Sequence, residues 1–187
     1  MEQRNRKLDF ISYDKLNEHK IGDALGILDS FAKPYVHWLN VYCAKYDIDT
    51  PLRLSAFLAQ ICHESGRFRY VEELASGKDY EGRKDLGNVI KGDGMRFKGR
   101  GLIQITGRAN YTELSKDLGI DFVSEPVLLK EPEYAVMSAC WFWNKRGLNK
   151  LADEERFRDI TKKINGGYNG LEDREKLYVK CKRMLNI

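Results

Sequence analysis

The chain has 187 residues, 42% of them hydrophobic, which is enough to bury the core of one domain and excludes a largely disordered protein. Its net charge of +4 is mild, and no cluster of lysine and arginine is dense enough to indicate a nucleic acid partner. No apolar stretch approaches the ~20 residues that cross a bilayer, so we expect no membrane insertion. A mildly basic chain of this kind suits an anionic polymer as its partner.

The N-terminus and the cysteines indicate synthesis in a reducing compartment. Met1–Asp9 is polar and charged and lacks the apolar core of a secretory signal, so we expect the protein to be made in the cytoplasm. A substrate outside the cell would then require another route of release. The four cysteines are widely spaced, without any CxxC pair, so a zinc site is not expected. Cys62, Cys140 and Cys181 lie in apolar helical patterns, and we predict that they are buried free thiols rather than disulfides.

The N-terminal part of the chain predicts two helices. Apolar residues recur at helical spacing from Ile21 to Tyr46, and Pro34 within that run should break or kink the helix. Thr50 followed by Pro51 is typical of a helix start, with a hydroxyl cap and a proline in the first turn. One face of the helix that begins there is apolar: Leu54, Phe57, Leu58 and Ile61.

The middle of the chain predicts a long loop and then a short extended segment. Residues 76–101 are rich in glycine and charge and have no helical period, and loops of this length are usually functional. Leu102–Thr106 has the pattern of an extended segment, and Ala109–Leu118 is predicted to be helical.

The C-terminal part predicts four helices. Pro126 opens the first, and the second runs over Glu133–Arg146. The third begins at Phe157 and ends at a pair of glycines, and the fourth covers Leu171–Leu185. The predicted fold is therefore mainly α, with a small β element in the middle.

Two carboxylates follow the apolar face of the helix that begins at position 51. Glu64 falls at the edge of that face, where burial should raise its pKa, whereas the neighbouring His63 should point to the opposite side. Glu73 lies nine positions later. Two carboxylates in different surroundings are what acid–base cleavage of a glycosidic bond requires. Among 28 acidic residues such a spacing also arises by chance, and Glu72 and Glu81 are alternatives to Glu73.

Two further segments carry polar residues that a binding site could use. In an extended segment Gln104 and Thr106 share one face, and they would present an amide and a hydroxyl side by side or simply face water. Asn165, before two glycines, is typical of an ordinary helix end. No nucleotide-binding or HExxH pattern occurs, so we expect no cofactor and no metal.

Taken in order, these segments resemble glycoside hydrolase family 19, which includes plant-type chitinases and bacteriophage endolysins. The resemblance covers roughly residues 50–180, and FKGRGLIQITGRANY is its most specific part. The motifs that carry it are HES at 63–65 with EE at 72–73, FKGRGLIQITGRANY at 97–111, WFW at 141–143, and INGG at 164–167 with DR at 173–174.

The resemblance implies a lysozyme-like, two-lobed, mainly α-helical domain with a substrate cleft. Within this single domain we expect residues 1–49 to form a helical segment packed on a catalytic core of residues 50–187. The implied mechanism is inverting, with two carboxylates about 6.5–9.5 Å apart that leave room for a water.

The resemblance also implies a role for each matched residue. Glu64 matches the general acid, Glu73 the general base, and Thr106 the hydroxyl that helps to hold the attacking water. Arg174 matches an arginine near the base. The other matches are residues that contact sugar or shape the site: His63, Gln104, Asn110, Tyr111 and Asn165.

The expected function is hydrolysis of β-1,4 bonds between N-acetylhexosamines. Chitin and peptidoglycan share this linkage, so the catalytic residues barely distinguish them. Size, charge and the absence of a signal favour a monomeric enzyme of cell-wall lysis, released through a holin or another export route. The alternatives are a chitinase and a wall-binding module without catalysis.

Overall fold

The computed structural model describes residues 16–187, and the prediction for Met1–Asp9 falls outside these described residues. Within them the structure consists of α-helices, short 3₁₀ turns and irregular loops, with two isolated β-bridges, which confirms the mainly α fold. The α-helices are α1 (Glu18–Leu25), α2 (Asp29–Lys45), α3 (Pro51–Glu64), α4 (Asp93–Arg96), α5 (Arg108–Leu118), α6 (Pro132–Lys145), α7 (Leu148–Asp153), α8 (Phe157–Asn165) and α9 (Leu171–Met184). The 3₁₀ turns are Lys78–Tyr80, Lys84–Leu86 and Pro126–Lys130.

The first predicted helix is in fact two helices, and they are divided at Gly26. This glycine ends α1 in a left-handed conformation with φ 67°, which glycine adopts at little cost. Pro34 was predicted to break or kink the helix; it lies inside α2, which continues through it to Lys45, so a break does not occur. A proline removes one backbone hydrogen bond, and the packing of the buried side of α2 outweighs that loss.

Helix α3 runs through the centre of the core. As predicted, Pro51 is its first residue, and the hydroxyl of Thr50 accepts a hydrogen bond from the amide of Arg53. Every residue from 54 to 62 is buried, so α3 is enclosed on all sides and not on one face alone. The rings of Phe57 and Trp143 meet edge to face at 5.4 Å and join α3 to α6.

The long helices pack on one another as a connected set. Helix α9 packs along α3, α1 packs on α2 and α9, and α2 packs on α6. All four cysteines are buried and free, which confirms the prediction for Cys62, Cys140 and Cys181. The division into residues 1–49 and 50–187 remains a prediction.

The C-terminal helices begin and end within one residue of their predicted bounds, except that α7 was not predicted. Gly147 was interpreted as the end of the helix that is now α6, and α7 begins at the next residue, Leu148. A helix of six residues is too short to show a clear apolar period.

The long loop between α3 and α5 contains the β pairing. Arg100 forms antiparallel bridges with Glu72 and with Ile105. The predicted extended segment Leu102–Thr106 is wrong, because these residues form a turn in which Gln104 has φ 58°. A left-handed residue cannot continue a strand, so the two-residue period does not apply there.

Candidate active site

Glu64 is the last residue of α3, and a buried guanidinium holds its side chain. The side chain is 19% exposed, which confirms the predicted partial burial, and Nη2 of Arg174 donates to its Oε1 at 2.5 Å. Nη1 of the same guanidinium donates to Oε1 of Gln60, one turn earlier in α3, also at 2.5 Å. Among residues 16–187 no group donates a hydrogen bond to Oε2 of Glu64, so this oxygen is left to meet a ligand.

Arg174 bonds directly to the predicted acid, whereas the resemblance places it near the base. It comes from the first turn of α9, which packs along α3 and so brings the guanidinium to the last turn of that helix. Arg174 is only 2% exposed, so its role is to hold Glu64 and Gln60. A direct contact with substrate does not fit that burial.

His63 turns toward α9 as well, instead of to the side opposite Glu64. Its Nδ1 lies 2.7 Å from Oδ2 of Asp173, and Nη2 of Arg67 donates to Oδ1 of the same carboxylate at 2.6 Å. Burial alone raises the pKa of the Asp173 carboxyl, but the hydrogen bonds from His63 and Arg67 outweigh it and hold the pKa below its usual range.

The turn that connects the two candidate catalytic glutamates has an unusual backbone. Gly66, Arg67 and Phe68 follow one another with φ of 55°, 65° and 64°. A bulky residue in this left-handed region is rare, and such strain persists only where the surroundings hold it. Phe68 is 3% exposed and stacks on Tyr35 of α2 at 5.5 Å, which supplies part of that support.

Glu73 is held by a loop on the other side of this turn. Its amide donates to the carbonyl of Gly99 at 2.9 Å, and the amide of Gly99 donates to its Oε2 at 3.2 Å. The hydroxyl of Tyr80 donates to Oε1 at 3.0 Å. Burial, and next this hydrogen bond to Glu73, raise the pKa of Tyr80, so the phenol remains a donor.

Three oxygen atoms converge on the side of Gly99 where a side chain would project. A Cβ on Gly99 would lie 2.7 Å from Oε1 of Gln104, 3.2 Å from Oγ1 of Thr106 and 3.4 Å from Oε2 of Glu73. The predicted pairing of Gln104 and Thr106 therefore occurs, although a turn and not a strand produces it. The absence of a side chain at Gly99 allows these three polar groups to approach its backbone and one another.

The two alternative bases are occupied by structural partners. Glu72 lies 2.9 Å from Nε of Arg100 and 3.1 Å from Nζ of Lys130. Burial raises the pKa of Glu72, but these two hydrogen bonds outweigh it and leave the pKa below its usual range. Both oxygens of Glu81 accept backbone amides, from Gly92 at 2.7 Å and Gly94 at 2.9 Å. Of the three glutamates, Glu73 alone faces Gln104 and Thr106.

Asn110 and Tyr111 support the site from within the protein. The amide of Asn110 donates to the carbonyl of Thr106 at 2.7 Å and so fixes the turn. Tyr111 is fully buried, and its hydroxyl donates to the carbonyl of Lys98 at 2.9 Å. Burial raises the pKa of Tyr111 to about 12. The predicted substrate contact of Tyr111 does not fit this position in the core.

Asn165 ends α8, and its side-chain nitrogen is buried without a hydrogen-bond partner in the described part of the chain. Buried donors are normally satisfied. Because this nitrogen is buried, the sugar contact that the resemblance implies for Asn165 stays a prediction.

Three contributors to the site were not predicted from the sequence. Gln60 carried a signal, because it is a polar residue in an apolar helical run, four positions before Glu64. Gly99 lies in the motif at 97–111, which marked the segment but not the role of this glycine. Tyr80 carried no signal, since a tyrosine in a long glycine-rich loop is unremarkable until its neighbours are known.

Residues 16–187 contain no group of three or more histidine, cysteine, aspartate or glutamate side chains that could hold a metal ion. Across the same residues, no helix combines the length and the apolar character that crossing a membrane requires.

A mainly helical domain holds one glutamate against an arginine and a second beside an amide and a hydroxyl. Two carboxylates in different surroundings are what acid–base cleavage of a glycosidic bond requires, so the fold and the site together point to the class of glycoside hydrolases.

Comparison with known proteins identifies the family. The family model described as chitinase class I, glycoside hydrolase family 19, matches residues 39–155, and the chain belongs to this family. A family 19 domain-containing protein of Haemophilus influenzae is 34% identical over 158 residues, which cover 68% of this chain and 77% of that protein. An endochitinase of Arabidopsis thaliana is 36% identical over 141 residues, 72% of this chain and 48% of the plant protein. The chain thus spans about half the length of that plant relative.

The same fold occurs in a solved structure. The crystal structure of chitinase C from Streptomyces griseus HUT6037 superposes with a TM-score of 0.74 at 21% identity, covering 91% of this chain and 92% of that one. The predicted lysozyme-like helical fold is confirmed by this likeness.

Proposed function

We propose that the protein is an inverting hydrolase of β-1,4-glycosidic bonds in N-acetylhexosamine polymers, with bacterial peptidoglycan as its substrate. The observation that carries the proposal is that two carboxylates have different surroundings. Glu64 bonds to the buried guanidinium of Arg174. Glu73 lies beside the side chains of Gln104 and Thr106, next to Gly99. An inverting enzyme needs one carboxyl group as acid and one carboxylate as base.

Glu64 acts as the general acid through Oε2, the oxygen that accepts no hydrogen bond from residues 16–187. It donates its proton to the glycosidic oxygen as the bond to the anomeric carbon breaks. Arg174, on Oε1, orients the carboxyl group and stabilises the negative charge that the proton leaves behind.

Glu73 acts as the general base on a water held over Gly99. The side-chain amide of Gln104 donates to the carbonyl of Gly101 at 3.0 Å, which turns its oxygen toward the water. The hydroxyl of Thr106 donates to the carbonyl of Gln104 at 3.0 Å, so its oxygen is an acceptor too. The water gives one proton to Glu73, points the other at one of these oxygens, and attacks with its free electron pair.

Surface charge favours peptidoglycan, the anionic polymer, over neutral chitin. Three cations and one carboxylate, Asp23, line a groove between α1 and α9. The cations are Lys20, Lys180 and Arg183, and within residues 16–187 none of them forms an ion pair. Unpaired cations together with the net charge of +4 attract an anionic wall. A protein acting there is released through a holin or another export route.

Chitin is the second candidate substrate. The similarity to an endochitinase of Arabidopsis thaliana favours it, since that relative is 36% identical over the matched residues.

Parallel assays on the two polymers test the proposal. We expect the purified protein to clear suspensions of permeabilised bacteria, and the Glu64→Gln variant to fold normally and clear none. Cleavage of colloidal chitin without lysis of bacteria would show that the substrate is chitin and not peptidoglycan. Native-rate lysis by Glu64→Gln would contradict the assignment of the acid, and binding to walls without cleavage of either polymer would indicate a binding module.

A further inference from the structure

Two adjacent residues of α9 hold two adjacent residues of α3. Arg174 bonds to Glu64, and Asp173 accepts from Nδ1 of His63 at 2.7 Å. The other oxygen of Asp173 accepts from Arg67, beyond the end of α3, at 2.6 Å. The Asp173 carboxylate therefore spans the end of the helix, with one donor before Glu64 in the chain and one donor after it.

The donor after Glu64 belongs to the strained turn. Arg67 has φ 65° and stands between Gly66 and Phe68, which are left-handed as well. Such a backbone relaxes unless contacts on both sides hold it. Phe68 is held by Tyr35 of α2, and Arg67 is held by Asp173 of α9.

The donor before Glu64 is an imidazole in a fixed orientation. Because a carboxylate only accepts, the hydrogen bond to Asp173 places a proton on Nδ1 of His63. The ring also lies against Gly170, where any Cβ would collide with the ring atoms. The pKa of the Asp173 carboxyl lies below its usual range, so this acceptor is charged at neutral pH.

We propose that Asp173 is a positioning residue: through His63 and Arg67 it fixes the end of α3 and the turn beyond it, and so sets Glu64 in register with Glu73. This inference rests on the proposed function, since it gives the two glutamates their catalytic roles. Asp173 touches neither the substrate nor the water in this scheme and acts through the two donors.

Kinetics on the substrate that the wild-type protein cleaves test this proposal. A displacement of about 1 Å at a reacting group can cost on the order of 10²-fold in rate. We therefore expect Asp173→Ala to lower kcat by about that factor and to change KM less than twofold. The isosteric Asp173→Asn variant, which keeps one acceptor oxygen, should lose about 10-fold and remain folded.

Asp153 offers a matched control at the opposite end of α3. It accepts two hydrogen bonds from Arg53, both at 2.7 Å, and its side chain is 43% exposed against 36% for Asp173. Asp153→Ala should lose comparable stability and retain the wild-type kcat. Equal losses of kcat in both alanine variants, or a kcat within twofold of wild type in a folded Asp173→Asn, would overturn the proposal.

Nitrogen NMR of His63 gives a readout that does not depend on catalysis. In the wild-type protein we expect the neutral ring to carry its proton on Nδ1, and in Asp173→Asn we expect the ring to shift toward the ordinary Nε2–H form. An unchanged tautomer in that variant would overturn the positioning role. If the wild-type protein cleaves neither polymer but the tautomer shifts, the proposed function fails while the contact that Asp173 makes stands.

Discussion

Glu72, Glu73 and Glu81 are chemically identical side chains in one loop, and their partners separate them. Glu72 is paired with Arg100 and Lys130, and Glu81 accepts two backbone amides. Glu73 accepts one amide and one phenol and faces an amide oxygen and a hydroxyl. The contacts of each carboxylate therefore distinguish the candidate base from its two neighbours, and the spacing of these residues along the chain does not.

Replacing each of these glutamates by glutamine tests the base. Glu73→Gln removes the proton acceptor and should lower kcat by roughly 10²–10⁴-fold without unfolding the protein. Glu72→Gln and Glu81→Gln remove structural contacts, so they should lower the melting temperature more than they lower kcat. A folded Glu81→Gln variant with a lower kcat than Glu73→Gln would show that the base is misassigned.

A methyl group on Gly99 tests the proposed position of the water. Gly99 is outside the left-handed region, so alanine fits its backbone, but the added carbon would lie 2.7 Å from Oε1 of Gln104. We expect Gly99→Ala to lower kcat on the order of 10–100-fold, because the carbon displaces the water and the oxygens that hold it.

Gly167→Ala is the stability control for that variant, since a Cβ there meets no atom within 4 Å. Melting curves should show that both variants fold. A Gly99→Ala variant with the wild-type kcat would contradict the proposed position of the water.

At the scale of elements, the short turn between Glu64 and Glu73 is held by two helices, α2 and α9. The turn after α3 contains three successive left-handed residues, Gly66, Arg67 and Phe68. Helix α2 contacts it through Tyr35, which stacks on Phe68. Helix α2 therefore supports the segment between the two candidate catalytic glutamates, although it contributes none of the matched residues.

Removing the Phe68 ring should destabilise the protein strongly. The side chain is 3% exposed, and truncating a buried phenylalanine costs about 3–5 kcal/mol. Urea unfolding of Phe68→Ala measures this loss. Leu74→Ala, at a position 82% exposed in the same segment, should change the free energy of unfolding by less than about 0.5 kcal/mol. Similar losses in both variants would show that the turn is not anchored by Phe68.

The loop before α5 is tied down by an ion pair that should make stability depend on pH. Asp93 is buried, and the hydrogen bond from Arg108 holds the pKa of its carboxyl below the ordinary value of 3.8. A carboxyl group with a lowered folded-state pKa contributes its full stability above the unfolded pKa and loses it as the pH falls through the folded pKa.

Asp93→Asn should therefore destabilise the protein at pH 7, and the difference from wild type should shrink as the pH falls below about 3.8. Urea unfolding at pH 7, 4 and 3 measures the difference. A difference that is the same at all three pH values would contradict an electrostatic role for Asp93.

At the scale of the whole molecule, the helices were predictable and the site was only partly so. Apolar periodicity, the cap at Thr50 and the terminal glycines place the long helices, because these signals are local. The contact between Arg174 and Glu64 joins residues 110 positions apart, and nothing local indicates it. Similarly, Leu102–Thr106 has the composition of a strand, yet the tertiary contacts of the loop impose a turn.

Proton NMR of the first products of hydrolysis tests the two-glutamate mechanism most directly. With a soluble β-1,4-linked N-acetylglucosamine oligosaccharide, an enzyme that activates water with Glu73 while Glu64 protonates the leaving oxygen inverts the anomeric centre. We predict that the α-anomer forms first and that the β-anomer follows only by mutarotation. A β-anomer as the first product would contradict this mechanism, because it requires a covalent intermediate and two displacements.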